Sequence, residues 1–209
     1  MALSNYGELK TSIASLLNRD DLATAIPDLI ALAQAQIDRD IRHWQMEKRA
    51  TLQQSATDEY AQLPSDWVET IRLHVTGSGT SVVDLISRNA MANKRAGAED
   101  TTGIPAYYCH ADGQLQFYPT PSSDTDLEML YYGKITAMSS DSDYNWLLTS
   151  HPDIYLYGAA LHSAPYLDED DRIAVWAQLY SAAVQRLNEV SEKARYSGSG
   201  LRLKNRGLG

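Results

Sequence analysis

The chain has 209 residues, 44% hydrophobic and 22% charged, enough for one or two globular domains with a buried core. A formal net charge of −9 argues against general DNA binding by phosphate neutralisation, and the single cysteine, Cys109, excludes an intrachain disulfide. No run approaches the ~20 apolar residues of a membrane span, and Met1 to Lys10 lacks a signal-peptide core, so folding in a reducing cytoplasm is expected.

In chain order, Leu9, Ile13, Leu16 and Leu17 stand at helical spacing and predict a first helix over 5–18, with Ser4 or Asn5 as its cap. A second helix is predicted from about Thr24 to His43. Its stripe is Ile26, Leu29, Ile30, Ala33, Ile37, Ile41 and Trp44, and Pro27 fits its first turn. The pattern then turns to strands at 48–54, 60–63 and 70–76; in the last, Ile71, Leu73 and Val75 alternate with a period of two. Gly77-Ser78-Gly79 marks a turn, and Val82, Val83, Leu85 and Ile86 start another strand. A short helix over 88–95 and a polar loop over 97–104 follow. Strands at 106–110 and 114–118 flank Asp112-Gly113, a hairpin signal, and 127–132 is a further strand.

Residues 145–194 are the organising stretch. Pro152 and Asp153 open a small-residue helix rich in apolar side chains, which Pro165 ends with Ala164 left outside it. After the acids Asp168, Glu169, Asp170 and Asp171 comes a long helix with Ile173, Trp176, Tyr180, Val184, Leu187 and Val190 on one face. The two are expected to pack as an αα-hairpin. From Tyr196 onward the glycine-rich sequence has no helical period and reads as a flexible tail. This tail is basic: Lys193, Arg195, Arg202, Lys204 and Arg206 face no acid between Lys193 and the C-terminus.

The expected fold is therefore α+β, a four-helix bundle from N- and C-terminal helix pairs with an inserted small antiparallel β-domain. The boundaries are 1–46 with 145–195 for the bundle, 47–144 for the β-rich insertion and 196–209 for the C-terminal extension.

Chemical motifs are few. Asp141, Asp143 and Asn145 mimic the start of a calcium loop, but Trp146 stands where that loop needs Gly and Pro152 where it needs Glu. Gly77-x-Gly79 has no third glycine at Val82, and no phosphate-cradling Gly-rich motif exists. His43, His74, His110, His151 and His162 show no metal-ligand spacing, and Cys109 lies in a strand pattern that suits a core better than a nucleophile. Asp168 to Asp171 could act as the paired carboxylates of a carbohydrate-acting, peptidoglycan-type hydrolase, or simply sit at a helix start where the dipole favours them. Tyr107, Tyr108, Tyr131 and Tyr132 could stack on sugars or bases; subunit interfaces and strand faces use such residues more often. No catalytic residue, metal or cofactor is expected.

Several stretches in collinear order resemble the phage adaptor proteins, the head-to-tail connector subunits under the portal of tailed bacteriophages. They are Leu22 to Arg42; the Leu-Pro-Ser-Asp ending at Asp66; Gly-Ile-Pro-Ala-Tyr at 103–107; Leu-Gln-Phe-Tyr-Pro-Thr-Pro at 115–121; Leu-Tyr-Tyr-Gly at 130–133; and, strongest, 145–167 with the acidic helix start and Ala194 to Gly198. The resemblance implies a structural virion protein, made in the host cytoplasm and placed in the neck. It implies a homo-oligomeric ring, commonly a dodecamer, docked on the portal and receiving a downstream neck or tail protein. DNA would pass through the channel without specific binding, and no membrane is involved. An acidic wall suits that passage. The tail residues Arg195, Tyr196, Leu201, Arg202, Leu203, Lys204 and Arg206 are the expected portal anchor. Trp44, Trp146, Tyr155, Tyr157 and Tyr166 are the candidates for subunit interfaces.

Overall fold

A computed structural model describes residues 3–19, 21–77, 81–97, 101–167 and 171–196. The chain divides into two compact units, Met1–Gln45 with Ile135–Gly209, and Met46–Lys134.

The first unit is helical. Helix α1 (Tyr6–Leu17) starts where the Asn5 side chain accepts the Glu8 backbone N–H at 2.9 Å, and Glu8 reaches back to the Ser4 N–H and hydroxyl. It ends on Asn18 in the left-handed conformation, whose N–H closes onto Ala14 and Ser15. Helix α2 (Ile26–Asp40) has Pro27 in its first turn and buries Leu29, Ile30, Ala33 and Ile37. A five-residue helix α4 (Trp146–Ser150) is capped by the Asn145 side chain on the Leu148 N–H. Helix α5 (Pro152–His162) follows, then a 3-10 turn (Ala164–Tyr166), then helix α6 (Arg172–Tyr196).

The second unit holds strands β1 (Glu47–Gln54), β2 (Tyr60–Gln62), β3 (Trp67–Val75), β4 (Ser81–Val82), β5 (Asp84–Leu85), β6 (Thr102–Gly103), β7 (Tyr107–Ala111), β8 (Gln114–Tyr118), β9 (Thr120–Pro121) and β10 (Thr125–Gly133), with helix α3 (Arg88–Ala96) after β5. One sheet has the order β1-β10-β3-β4, all antiparallel, and a second has the order β2-β8-β7-β5. In the second sheet β5 runs parallel to β7, and β6 with β9 forms a third, parallel pair. The β7–β8 hairpin turns on Asp112 and Gly113, both at positive φ (50° and 72°), as a tight two-residue turn requires. Strand β10 alternates Leu127, Met129 and Tyr131 into the core beside Leu73 and Phe117. Leu130 and Tyr132 face the other way along the strand, and the pairing to β3 shifts at Leu130/Tyr131 and again at Tyr132/Gly133.

The structure corrects the expected fold class. Among the described residues there are six α-helices and ten strands in three sheets, not a four-helix bundle with a small antiparallel insertion. Two physical reasons explain the difference. Helix α5 is not one of four equal amphipathic members. It is apolar nearly all round, and α1, α2, α4 and α6 all pack against it, which is where such a helix must lie. Pro152 also forces His151 out of helical geometry (φ −139°, ψ 60°), so α4 separates from α5. In the second unit, two-residue strands pair in parallel at positions where no alternation can signal them.

Contact between α5 and its neighbours is close because Gly158 lacks a side chain. A Cβ there would stand 3.3 Å from the Tyr180 ring on α6 and 3.4 Å from Ala33 on α2.

Candidate functional site

The segment leaving α2 is fastened to α6. Ile41 is extended, and Asn188 on α6 accepts the Arg42 N–H at 3.0 Å while donating its amide to the Asp40 carbonyl at 3.0 Å. The Ser191 hydroxyl accepts the Trp44 N–H at 3.0 Å. These clips end α2 at Asp40, short of the predicted His43. They also hold Trp44, which is 50% exposed, beside the C-terminal half of α6. His43, buried, stacks on Trp146 with ring centroids 5.0 Å apart and meets Trp44 at 5.3 Å. Two of the interface candidates, Trp44 and Trp146, are thus joined through a histidine to which the sequence pattern assigns no role.

Tyr157, half-buried on α5, lines a groove of about 510 Å³ with His43, His151, Leu179, Arg186 and Val190. Tyr166 is exposed in the turn after α5. Tyr155 is placed differently: it is fully buried, and its hydroxyl bonds to Gln34 Oε1 and to Asn145 Nδ2, the latter at 2.9 Å. Burial raises its pKa, so it is a neutral core phenol that ties α5, α2 and the α4 cap together. Arg195 is exposed in the last turn of α6, and Tyr196 ends that helix. Leu201, Arg202, Leu203, Lys204 and Arg206 lie outside the described residues, as do Asp168, Glu169 and Asp170. Asp171 is exposed immediately before α6.

The calcium-like trio has other work. Asp141 pairs with Lys10 at 2.6 Å, Asp143 accepts the backbone N–H groups of Ser139 and Ser140 at 2.8 Å, and Asn145 caps α4. Those backbone bonds hold the half-buried Asp143 carboxyl below the usual carboxylate range. Among the described residues no group of three His, Cys, Asp or Glu side chains is placed to hold a metal ion. Tyr108, Tyr131 and Tyr132 are buried, and Tyr107 lies under Lys94, whose ammonium stands 3.9 Å from the ring centroid. Burial also raises the Cys109 thiol, an unreactive core position.

A polar cluster in the second unit has no signature in the sequence. Asp66 accepts Lys48 Nζ at 2.6 Å on one oxygen and the Tyr131 hydroxyl at 3.0 Å on the other. Burial alone would raise the Asp66 carboxyl; the two donors outweigh it and hold it low. Burial, and then the hydrogen bond to Asp66 and its charge, push Tyr131 up to about 12. Gly133 makes room for the cluster: a Cβ there would lie 2.7 Å from Lys48 Cδ and 2.9 Å from Asp66 Oδ2. Both Asp66 and Gly133 end stretches noted above for their resemblance. With its carboxylate engaged on both oxygens, the cluster is a tie between β1, β10 and the turn before β3.

The helical unit thus exposes Val175, Leu179 and Val190 along α6, with Trp44 beside that helix, and in the β-unit the Asp66 carboxylate is engaged by Lys48 and Tyr131. A model of the SU10 adaptor protein family matches residues 4–203, nearly the whole chain, and the chain belongs to that family. It is a structural adaptor protein of a bacteriophage and a virion component. No curated protein matches it. Among the described residues no helix is long and apolar enough to cross a membrane.

Proposed function

We propose that the chain is the subunit of a ring, of about twelve copies by the family resemblance, that joins the portal vertex of the phage head to the neck or tail and extends the DNA channel. Family membership over residues 4–203 carries this reading. In it the protein works by geometry and contact, without catalysis, and occupies the virion neck after synthesis in the host cytoplasm. The acidic composition supports it, because a wall of like charge lets DNA slide without sticking.

The C-terminal extension is the portal anchor in this reading. Leu201 and Leu203 alternate with Arg202, Lys204 and Arg206, and an extended segment of that pattern can lie in a groove with leucines inward and bases toward acids. Side-by-side ring contacts come from the helical unit, with Trp44, Trp146, Tyr157 and Tyr166 at or near its surface. Truncation after Arg195 tests the anchor. The shortened protein keeps its helical circular dichroism and loses most binding to purified portal. Undiminished portal binding by the shortened protein would assign docking to the folded units instead.

A further inference from the structure

Helix α6 carries two unlike exposed flanks on either side of its buried stripe of Trp176, Tyr180, Val184 and Leu187. One flank holds Leu179, Ala182, Ala183, Arg186 and Val190, which with Tyr157 and Asp153 line the groove described above. Val175, one turn before Leu179, extends the same ridge; Val175, Leu179 and Val190 are all exposed, Val190 at 58%. Trp44 adds an exposed indole near Ser191. Arg186 is exposed and makes no ion pair among the described residues.

The other flank is acidic. Ser181, Gln185, Asn188, Glu189 and Glu192 of α6, with Gln36 and Asp40 of α2, line a second concavity of about 540 Å³ whose described lining has three carboxylates and no base. Leu32, one turn before Gln36 on α2, stands 51% exposed beside it. At about 100° per residue the two sets of α6 positions fall on separate sides of the helix, with the buried stripe between them.

We propose that these flanks are the two halves of one contact between copies of this chain: the apolar, Arg186-bearing flank of one copy seats on the acidic flank of the next. Charge selects this pairing. Arg186 meets Asp40, Glu189 and Glu192, and Leu32 meets the Val175–Leu179–Val190 ridge, whereas two acidic flanks together would oppose three carboxylates with three. Because the flanks differ, the contact is heterologous. Because they lie on separate sides of one helix, each copy has a neighbour on both sides, so the contact propagates from copy to copy rather than stopping at a pair, and it closes into a ring where the rotation per copy completes a full turn, as the ring reading requires. This inference rests on the ring reading above and names the surface that builds the ring.

The test is a charge exchange in the full-length chain with purified portal present. Arg186→Glu and Glu192→Arg are exposed substitutions that leave the buried stripe intact, and circular dichroism checks the fold of each. Ring formation is followed by native mass spectrometry and negative-stain microscopy over a concentration series. Each variant alone should need about tenfold more protein to assemble than wild type, a change of about 1.4 kcal/mol per contact. An equal mixture should recover wild-type assembly. In alternating copies the two substituted positions meet at one contact with their charges exchanged, and the native pair, Arg186 with Glu192, meets at the next. Single variants that assemble like wild type would show that the ring is built on other surfaces. Impaired variants that mixing does not rescue would overturn the heterologous pairing. A wild-type chain that forms no ring with portal present would overturn the ring reading, and this contact with it.

Discussion

Removing the hydroxyl of Tyr155 separates a core role from an interface role at that position. Tyr155→Phe keeps the ring in a site of zero exposure and deletes two hydrogen bonds, to Gln34 and Asn145. Asn145 Nδ2 keeps its bond to the Thr136 carbonyl at 2.9 Å, and Gln34, half-buried, can turn toward water. The loss therefore falls near the lower part of the range for a buried polar group deprived of a partner, about 1–2 kcal/mol. For a chain of this size that lowers the melting temperature by about 3–6 °C. Tyr157→Phe is the control: on a half-buried residue that lines an open groove, it should change stability by under about 0.5 kcal/mol. Thermal melts followed by far-ultraviolet circular dichroism report mainly on the helical unit. If Tyr155→Phe melts like wild type while Tyr157→Phe does not, the network is not what joins α5 to α2 and α4.

Two further substitutions probe the β-unit. Gly133→Ala puts a Cβ within 2.9 Å of Asp66 Oδ2 and closer still to Lys48, so it should displace the Lys48–Asp66 pair and cost about 1–3 kcal/mol in urea unfolding; an unchanged midpoint would mean that Lys48 is free to swing away. The Asp66 carboxyl, held low by Lys48 and Tyr131 against burial, favours the deprotonated fold. Its contribution is full above the ordinary unfolded value of about 4 and is lost as pH falls through the lower folded value. Acid titration of stability should therefore be shallower in Asp66→Asn than in wild type below about pH 4, and identical slopes would contradict the assignment.

Sequence reasoning reaches the elements whose cause is local. The Asp112-Gly113 hairpin, the α1 cap, which the sequence leaves between Ser4 and Asn5 and the structure gives to Asn5, and the α1 and α5 boundaries each depend on residues within a few positions of one another. The long stripe of α6 is legible as far as Leu187. Beyond it Val190 turns outward and Ser191 is fully buried, because the Ser191 hydroxyl serves the Trp44 backbone. The end of α2 falls short of the periodic stripe for the same kind of reason: Asn188 captures the Arg42 N–H from across the sequence. Strands β6 and β9, two residues each and parallel, carry no period. The Lys48–Asp66–Tyr131 cluster joins residues 18 and 65 positions apart, and no spacing rule connects them. Tyr155 and Tyr157 look alike as apolar-helix tyrosines, yet one is core and the other lines a groove, which only the packing around α5 decides.

The most direct measurement is a cryo-electron microscopy map of the neck of the virion that carries this chain. The account predicts a closed ring of this subunit immediately below the portal, with neighbouring copies meeting through their helical units and the C-terminal segments reaching the portal. Density for this chain elsewhere on the particle, or at the neck without a ring of repeated subunits, would contradict it.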